Sequence, residues 1–475
     1  MTSSPWLWRP VPLREATGSD VFVALGFDRE PIATLLESPI RSDNPRLSRY
    51  SIAAGQPRRA NGQLVLGTPP IGRIFPWLRH QLQQRTAIGN APAHLPFVGG
   101  WLGWLGYDAA WEVERLPWQN PELLTFPVAY WYEPECFAVA DELADQLWLA
   151  ATTLAQLDRL DRAWQQFLHD RRSPLPCDTT IARHSPDPAI QPHFVTTKAD
   201  YEAMVCRAKD YIRAGDIFQT NLSLRFAQAT TATGWDIYQE LHRINPSPFA
   251  SYWKTPWGEM ASCSPERLVK LTDRQAETRP IAGTRPRGST TDADTVYAQE
   301  LLGNRKENAE HVMLVDLERN DLGRVCRWGS VAVDELLVIE RYSHVMHLVS
   351  NVVGDLAEGR DAIDLVAAMF PGGTITGCPK VRCLEIIEEL EPVRRSLFYG
   401  SCGYLDRRGR LDLNILIRTL LKTGDHVWGQ VGAGIVADSD PTREWFESLS
   451  KAKAQLTAIA TVNQPKRATQ ANQTK

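Results

Sequence analysis

Two pairs of glutamates have the spacing that places carboxylates on one face of a helix. Glu307 and Glu310 are three residues apart in a helical pattern, and Glu444 and Glu447 repeat the arrangement. Together the pairs could hold a hard cation such as Mg²⁺, which binds few protein oxygens and keeps several waters. On spacing alone, solvated helix faces explain them better, with Glu447 and Lys451 forming an ordinary i,i+4 ion pair.

Glycine-rich segments are a second group of candidates. Residues 370–380 end in Cys-Pro-Lys where a phosphate-binding P-loop requires Gly-Lys-Ser or Gly-Lys-Thr, which excludes that kind of nucleotide site. The Gly-Ala-Gly segment at 432–434 follows an apparent strand but lacks the GxGxxG pattern. Both segments could present backbone N–H groups to a carboxylate, and simple tight turns explain them equally well.

Three further features are weak when taken singly. Residues 280–288 combine two prolines, two glycines and two arginines, which suits an anion site or a basic surface turn. His347 lies among apolar residues, as a buried core histidine would, and Glu266 follows Ser-Pro as an ordinary turn residue would. Their order along the chain is more specific than any one of them.

The elements that must position these residues follow from periodicity. Helical spacing predicts helices at 151–171, 201–214, 295–320 and 443–460. Alternation predicts strands at 218–226 and 329–333, a hairpin of 268–271 with 275–281, and a pair of 411–421 with 426–436. Residues 347–353 fit a helix or a strand equally. Interleaved strands and long helices predict an α+β fold.

Composition excludes several classes of protein. The chain has 475 residues, 43% of them hydrophobic and 23% charged, which is ordinary for a folded protein. A net charge of -4 argues against a nucleic-acid partner. We expect no membrane span and no secretory signal, and the eight cysteines form no disulfide or zinc framework. These features predict a reduced, cytoplasmic enzyme.

Taken in order, the motifs resemble those of the chorismate-utilising enzymes, which include component I of anthranilate synthase and of aminodeoxychorismate synthase. The resemblance spans about residues 195–460 and rests on segments 216–223, 245–249, 264–266, 280–284, 309–311, 370–380 and 432–434. A weaker likeness reaches the N-terminus through 35–38, 49–51 and 99–103. It implies a four-layer αββα fold, with two packed antiparallel sheets and outer helices around one central cleft.

The resemblance also implies a division of the chain. Residues 1–170 would be an N-terminal subdomain like that of anthranilate synthase component I, followed by a linker at 171–194 that is rich in proline. Residues 195–462 would be the chorismate-binding catalytic domain, and 463–475 a polar tail.

Carried over residue by residue, the resemblance assigns roles to the candidates. Glu310 and Glu447 would ligate Mg²⁺ directly, while Glu307 and Glu444 would hold its waters. Glu266 would protonate the departing C4 hydroxyl of chorismate, and His347 matches the family's active-site histidine. The substrate-binding residues would be Gly283, Thr284, Thr374, Tyr399, Arg418, Gly432, Ala433, Gly434 and Lys451.

Two positions bear on which family member this is. Gln219 lies where isochorismate and salicylate synthases carry a water-activating lysine, so the resemblance favours an enzyme that uses ammonia. Segments 372–377, 385–392, 400–404 and 414–419 look like aminodeoxychorismate synthase. Ala282 is typical of anthranilate synthase, because many aminodeoxychorismate synthases carry a nucleophilic lysine there. A subset of the latter also has alanine, and we expect this chain to belong to it, with anthranilate synthase as the alternative.

Two partners are implied beside chorismate. No cysteine lies in the Gly-x-Cys-x-Gly-x-Gln context of a glutaminase, so ammonia would come from a separate glutamine amidotransferase subunit. Glu37 and Ser38, with Asn245 and Pro246, resemble the tryptophan pocket of feedback-inhibited anthranilate synthases, or a plain structural turn. A non-catalytic, tryptophan-binding scaffold is a further alternative, which the intact set of glutamates, Arg418 and Lys451 disfavours.

Overall fold

A computed structural model describes residues 6–38, 49–84, 90–171, 192–288, 290–342 and 345–464. The helices of these residues are α1 (Gly18–Ala24), α2 (Ile74–Gln83), α3 (Ala110–Val113), α4 (Leu154–Arg171), α5 (Lys198–Ala214), α6 (Gly234–Ile244), α7 (Thr291–Gly303), α8 (Arg305–Gly323), α9 (Ala362–Met369), α10 (Lys380–Leu390) and α11 (Pro441–Val462). Three short 3₁₀ helices lie at Phe27–Arg29, Tyr107–Ala109 and Gly373–Ile375.

The strands before the predicted linker are β1 (Leu7–Pro12), β2 (Ala33–Glu37), β3 (Tyr50–Ala54), β4 (Arg59–Ala60), β5 (Gln63–Leu64), β6 (Leu66–Gly67), β7 (Gly100–Leu105), β8 (Ala129–Tyr132), β9 (Cys136–Asp141) and β10 (Gln146–Ala151). One short strand, β11 (His193–Phe194), lies within the last residues of the predicted linker. The strands after the linker are β12 (Gln219–Ala229), β13 (Phe249–Thr255), β14 (Gly258–Ser264), β15 (Arg267–Thr272), β16 (Gln275–Thr278), β17 (Ile281–Pro286), β18 (Ala332–Arg341), β19 (Val345–Asp355), β20 (Gly377–Cys378), β21 (Ser401–Asp406), β22 (Leu411–Asn414), β23 (Thr419–Thr423) and β24 (His426–Ile435).

Two large antiparallel sheets organise these strands. Sheet 1 has the order β1-β10-β9-β3-β2-β13-β14-β23-β24-β12-β11, and β20 pairs with the start of β12. Sheet 2 has the order β17-β19-β16-β15-β22-β21-β7-β8-β6, and β18 pairs with β19. Strands from both sides of the predicted linker therefore share each sheet. The domain division itself stays a prediction, and residues 172–191 of the linker and 465–475 of the tail lie outside the described residues.

Side-chain alternation along sheet 1 builds the layers. Ile52 and Trp253 face sheet 2 in one buried cluster, whereas their neighbours Ala53 and Tyr252 face a second cluster with α1, α4, α5, α6 and α11. On the other side of sheet 2 lie α7, α8 and α9. The predicted α+β fold with a four-layer αββα arrangement is thus confirmed. Within the described residues, no helix is long and apolar enough to cross a membrane.

Several predicted elements need correction. The stretch 295–320 forms two helices, because the side chain of Asn304 accepts hydrogen bonds from the backbone of Lys306 and Glu307 and starts α8 there. The strand predicted at 329–333 begins later and runs on as β18, and residues 347–353 lie in strand β19. The helices predicted at 151–171, 201–214 and 443–460 are confirmed as α4, α5 and α11.

The strand predicted at 411–421 is two strands in different sheets. β22 belongs to sheet 2, β23 belongs to sheet 1, and only β23 pairs with β24. Between them the backbone turns sharply at Arg418, which has a φ of 51° in the left-handed region. No glycine or proline lies between the two strands, so no turn signal in the sequence marked this crossing.

Candidate active site

A cavity of about 540 Å³ lies where the two sheets meet the first turns of α8 and α11. Every residue predicted for the chorismate site lines it except Ala433, which is buried in the apolar cluster on the helix side of sheet 1. The predicted residues found there are Gln219, Glu266, Ala282, Gly283, Thr284, Glu307, Glu310, His347, Thr374, Tyr399, Arg418, Gly432, Gly434, Glu444, Glu447 and Lys451. The structure thus brings together positions that are more than 230 residues apart in sequence.

Two helix N-termini supply the acidic wall of this cavity. Glu307 and Glu310 are in the first two turns of α8, and Glu444 and Glu447 are in the first two turns of α11. The positive end of a helix dipole favours carboxylates at such positions. Burial acts in the opposite direction and raises the pKa of Glu310 and of Glu444. A cation bound in the cavity would favour the charged form of these carboxylates and so offset the effect of burial.

Basic partners neutralise the wall only in part. Arg285 Nη1 donates to Glu307 Oε1 at 2.9 Å, and Lys451 Nζ lies 3.1 Å from Glu447 Oε1. Two further carboxylate oxygens of the wall, Oε2 of Glu307 and Oε2 of Glu444, are buried without a hydrogen-bond partner. Buried carboxylate oxygens rarely stay unpaired, so they mark where a ligand or ion would bind.

The donor set suits Mg²⁺ better than a softer metal, because it consists of carboxylate oxygens. Among the described residues, no three His, Cys, Asp or Glu side chains converge tightly enough to form a ready-made metal cluster. Mg²⁺ does not need one, since it commonly binds one or two carboxylates and completes its shell with water and substrate oxygens. The four glutamates therefore fit this ion.

Arg418 and Lys451 bring positive charge to the cavity. Burial lowers the pKa of Arg418, whose Nη1 donates to Asn245 Oδ1 at 3.4 Å. Among the described residues, Arg418 has no carboxylate partner within ion-pair distance. Lys451 Nζ also donates to the carbonyl of Gly432 at 3.0 Å. A partly buried guanidinium without a counter-ion is suited to bind a carboxylate of a ligand.

Glu266 and His347 also line the cavity, and both are poised as neutral groups. Burial raises the pKa of Glu266 to about 7, so a large share of this carboxyl group is protonated near neutral pH. Burial lowers the pKa of His347 to about 3, which keeps the imidazole neutral. Its Nδ1 lies 2.9 Å from Thr284 Oγ1. Glu266 can therefore donate a proton, and His347 can exchange hydrogen bonds without adding charge.

Some site residues were not predicted from the sequence. Asn221 and Lys306 also line the cavity. The Oδ1 atom of Asn221, like Oε1 of Gln219 and Oγ1 of Thr374, is buried and unpaired. Alternation along β12 places residues 219 and 221 on the same face, so the strand period was a usable signal for Asn221.

Two glycines keep the acidic wall accessible. A Cβ at Gly434 would lie 2.5 Å from Gln219 Nε2, and a Cβ at Gly283 would lie 2.6 Å from Glu307 Oε2. Gly283 also has a φ of 62°. A side chain at either position would displace a group that we place in the site.

The predicted tryptophan-pocket residues do not all lie together. Glu37 and Ser38 line a second cavity of about 320 Å³, which is also lined by Arg49. Asn245 and Pro246 do not line it, since Asn245 faces Arg418. Glu37 accepts hydrogen bonds from the backbone and hydroxyl of Ser19 and from the hydroxyl of Tyr238. Its carboxylate is therefore largely occupied within the protein.

Comparison with known proteins points to one family. A family model described as chorismate binding enzyme matches residues 44–457. The chain is 57% identical over 467 residues to the anthranilate synthase component I-like protein of Synechocystis sp., covering 97% of this chain and 93% of that protein. It is 45% identical over 371 residues to aminodeoxychorismate synthase component 1 of Bacillus subtilis, covering 76% of this chain and 77% of that protein.

A named anthranilate synthase component 1 of Synechocystis sp. is 43% identical over 396 residues, covering 78% of each chain. Among solved structures, anthranilate synthase component I from Streptococcus pneumoniae superposes with a TM-score of 0.71 at 32% identity. The superposition covers 86% of this chain and 92% of that one. Sequence and structure thus agree on the same group of enzymes.

Proposed function

This chain belongs to the chorismate-binding enzymes, and within that family we propose that it is component I of aminodeoxychorismate synthase. The reaction would join chorismate and ammonia to give 4-amino-4-deoxychorismate and water, in the branch that leads to p-aminobenzoate and folate.

The observation that carries this choice is a pair of proteins in one organism. Synechocystis sp. has a named anthranilate synthase component 1, yet this chain is more similar to a second protein there, at 57% against 43% identity. The alignment with this second protein also covers 97% of the present chain. Because a separate protein of this organism is named as anthranilate synthase component 1, we infer that the second protein catalyses the other amination of chorismate, which gives aminodeoxychorismate. The similarity to the B. subtilis aminodeoxychorismate synthase supports the same choice.

The cavity has the charge distribution that chorismate requires. Chorismate carries two carboxylates, and the cavity offers Arg418 without a carboxylate partner together with Lys451. Arg418 would bind one carboxylate through charge-assisted hydrogen bonds. The hydroxyl of Thr374 could donate a hydrogen bond to a ring substituent or accept one from it, and the amide oxygen of Asn221 could accept one.

Mg²⁺ would be held on the acidic wall by Glu310 and Glu447, with Glu307 and Glu444 holding its waters. When bound, it would polarise the second carboxylate of chorismate and withdraw electron density from the ring. The chain's own contribution is to hold the glutamates in place. Gln219 Nε2 does so by donating to Glu310 Oε1 at 3.1 Å.

Glu266 would act as the general acid. Its proton goes to the C4 oxygen, which leaves as water while the nitrogen of ammonia forms the new bond to C4. One proton of the bound nitrogen then returns to the Glu266 carboxylate, so that the acid is restored. Because burial raises the pKa of Glu266 to about 7, the acid keeps its proton near neutral pH. The neutral imidazole of His347, 2.9 Å from Thr284, would orient the substrate without attracting the proton away.

Ammonia rather than water fits the nucleophile position. Gln219 is a neutral amide and cannot serve as a base for water, but its unpaired Oε1 can accept a hydrogen bond from ammonia. Ala282 lines the cavity and has no nucleophilic atom, so the amination would proceed without a covalent adduct at this position. The ammonia would come from a separate amidotransferase subunit, in keeping with relatives that are named as component 1 of their enzymes.

Anthranilate synthase component I is the second candidate. Ala282 favours it, and so does the solved structure at 32% identity. The same cavity residues would then eliminate pyruvate after amination. A tryptophan-binding scaffold without turnover is the remaining alternative.

The second cavity supports a further, smaller proposal. We propose that tryptophan binds in the cavity of about 320 Å³ beside Glu37 and Ser38. Titration calorimetry with tryptophan tests this directly, and substitution of Ser38 by Trp should abolish the binding by filling the cavity. An unchanged heat signal in that variant would contradict the assignment.

Genetic complementation tests the main proposal. The gene is introduced into two bacterial strains grown with high ammonium, one lacking its aminodeoxychorismate synthase component I and one lacking its anthranilate synthase component I. We expect growth without p-aminobenzoate in the first strain and no growth without tryptophan in the second. The reverse pattern would establish the anthranilate alternative.

A further inference from the structure

A buried arginine, Arg395, contacts three residues that line the cavity, and the proposed reaction gives it no role. It follows α10 and has 2% of its surface exposed. Its Nε and Nη2 atoms donate to the two carboxylate oxygens of Glu391 at 2.9 and 2.7 Å. A bidentate pair of this kind fixes the plane of the guanidinium as well as neutralising its charge. The remaining N–H groups can therefore be aimed precisely.

Those groups hold the backbone of two separate segments. Nη2 of Arg395 also donates to the carbonyl oxygen of Asn221 at 2.7 Å, and Nη1 donates to that of Ile375 at 2.9 Å. Asn221 is in β12, whereas Ile375 ends the short 3₁₀ helix. The backbone N–H of Asn221 donates to the carbonyl of Thr376 at 2.9 Å, which joins the same two segments a second time. One guanidinium thus fastens β12 to the glycine-rich segment.

The face of the same guanidinium packs against a third cavity residue, Tyr399. The Cζ atom of Arg395 lies 4.7 Å from the centroid of the Tyr399 ring, which is within cation–π distance. Tyr399 has a φ of 65°, a conformation that a tyrosine keeps only when its surroundings hold it. The ring of Tyr107 lies at the same distance of 4.7 Å from the guanidinium. Arg395 therefore holds the Tyr399 ring in addition to the two backbone segments.

The two segments carry unpaired polar groups of the cavity. Oδ1 of Asn221 and Oγ1 of Thr374 are buried without a hydrogen-bond partner, and we place both against the ring substituents of chorismate. Because neither atom has a hydrogen bond of its own, its position depends on the backbone that carries it. Arg395 binds that backbone at Asn221 itself and at Ile375, the residue after Thr374.

We propose that Arg395 is a positioning residue, which holds three cavity residues in the arrangement that contacts chorismate. The three are Asn221, Thr374 and Tyr399. Arg395 is not among the described residues that line the cavity, so it acts through these three. The inference rests on the proposed function in one respect, that chorismate is the substrate, and it holds for either amination product. A misplacement of about 1 Å in such contacts can slow a reaction about 100-fold.

The test uses the full chain with Arg395→Lys. Lysine keeps a positive charge beside Glu391 but lacks the planar fork that reaches both carbonyl oxygens. Consumption of chorismate with ammonium chloride and Mg²⁺ is measured, so that either product is counted. We expect kcat to fall about 100-fold. We expect KM to change less than about threefold, because Arg418 and Lys451 still bind the carboxylates of chorismate.

The neighbouring Arg394 provides a matched control, since it is similarly buried and also ion-paired. Its described partners, Asp108, Trp111 and Trp118, lie outside the set of residues that line the cavity. Arg394→Lys should lower Tm about as much as Arg395→Lys, while kcat stays within about twofold of the wild type. Equal losses of kcat in the two variants, at a temperature where both are folded, would indicate a general loosening of the core and would overturn the inference.

A double-mutant cycle shows whether Arg395 acts through a cavity side chain. Thr374→Val removes the hydroxyl and keeps the shape of the side chain, so it should lower kcat about fivefold in the wild type. In the Arg395→Lys background the hydroxyl is already misplaced, and the same change should cost less than about twofold. Losses that simply multiply would mean that the two residues act independently, which would contradict the proposal.

A second variant and a second measurement cover the remaining outcomes. If Arg395→Lys does not fold, Glu391→Gln replaces it, because its amide Nε2 would face Arg395 Nε and two opposed donors would displace the guanidinium. Hydrogen exchange at the backbone amide of Asn221 needs no turnover and should be about tenfold faster in Arg395→Lys but not in Arg394→Lys. Unchanged exchange would overturn the inference. A wild type that consumes no chorismate would contradict the proposed function alone.

Discussion

The side chain of Gln219, the first residue of β12, donates a hydrogen bond from Nε2 to Oε1 of Glu310 at 3.1 Å. Glu310 is on α8, so this bond connects sheet 1 to the acidic wall of the cavity. The resemblance places a water-activating lysine of isochorismate synthases at this position, whereas Gln219 orients a carboxylate. The hydrogen bond also opposes the burial that raises the pKa of Glu310, and so favours the charged form that a metal needs.

Glu310→Gln and Glu447→Gln should each abolish turnover that depends on Mg²⁺. An amide keeps the size of the side chain but removes the charge that holds the cation. Glu307→Gln and Glu444→Gln should cause smaller losses, because these residues would hold waters rather than the ion. Magnesium titrations of the rate, with circular dichroism to verify the fold, check this order. Near-normal activity in either of the first two variants would contradict the metal assignment.

Arg418→Gln should weaken chorismate binding more than it slows the chemical step. A charge-assisted hydrogen bond contributes about 1.5–3 kcal/mol, so KM should rise roughly 10- to 150-fold. Arg418→Lys should recover part of the loss, since it restores the charge but not the planar fork. Steady-state kinetics with chorismate as the varied substrate measure KM and kcat for both variants. An unchanged KM in Arg418→Gln would exclude this residue from the carboxylate site.

Glu266→Gln should lower kcat by about 10²- to 10⁴-fold, the usual contribution of a general acid. The same change should stabilise the protein at alkaline pH. The pKa of Glu266 is raised from 4.5 to about 7 in the fold, so wild-type stability falls as the pH rises through this window and levels off above it. The variant lacks this loss, which amounts to at most about 3 kcal/mol.

Urea unfolding of both proteins at pH 5 and pH 8 measures this difference. The variant should gain stability over the wild type between the two pH values. If the stability difference between variant and wild type is the same at pH 5 and pH 8, Glu266 has an ordinary pKa in the folded protein. The raised pKa would then no longer support its role as the general acid.

The purified chain should use ammonium salts and not glutamine. The seven cysteines in the described part of the chain are free, and none lies in a glutaminase context. Rates with equal concentrations of glutamine and ammonium chloride provide the comparison. Adding a matching amidotransferase subunit should confer glutamine use. Equal use of glutamine by the chain alone would contradict the need for a partner.

The motifs predicted the site better than they predicted the elements that hold it. Glu307, Glu310, Glu444 and Glu447 were recognised from their order along the chain, and all four line one cavity. The break at Asn304 was missed because helical periodicity continues across a cap. Such a break depends on which side chain satisfies the first N–H groups of α8.

Long-range connections were also hidden from the sequence. The crossing between sheets at Arg418 has no glycine or proline to mark it, and the strands on both sides, β22 and β23, are largely buried. Asn245 matched a tryptophan-pocket motif, whereas its side chain faces Arg418. In each case tertiary packing decided the role of the residue.

Identification of the product distinguishes aminodeoxychorismate synthase from anthranilate synthase. The purified chain is incubated with chorismate, Mg²⁺ and ammonium chloride at mildly alkaline pH, and the products are analysed by mass. We expect a product that keeps the enolpyruvyl group and releases p-aminobenzoate only when a lyase is added. Direct appearance of anthranilate with pyruvate would contradict this expectation, and would make Ala282 the residue that best indicated the reaction.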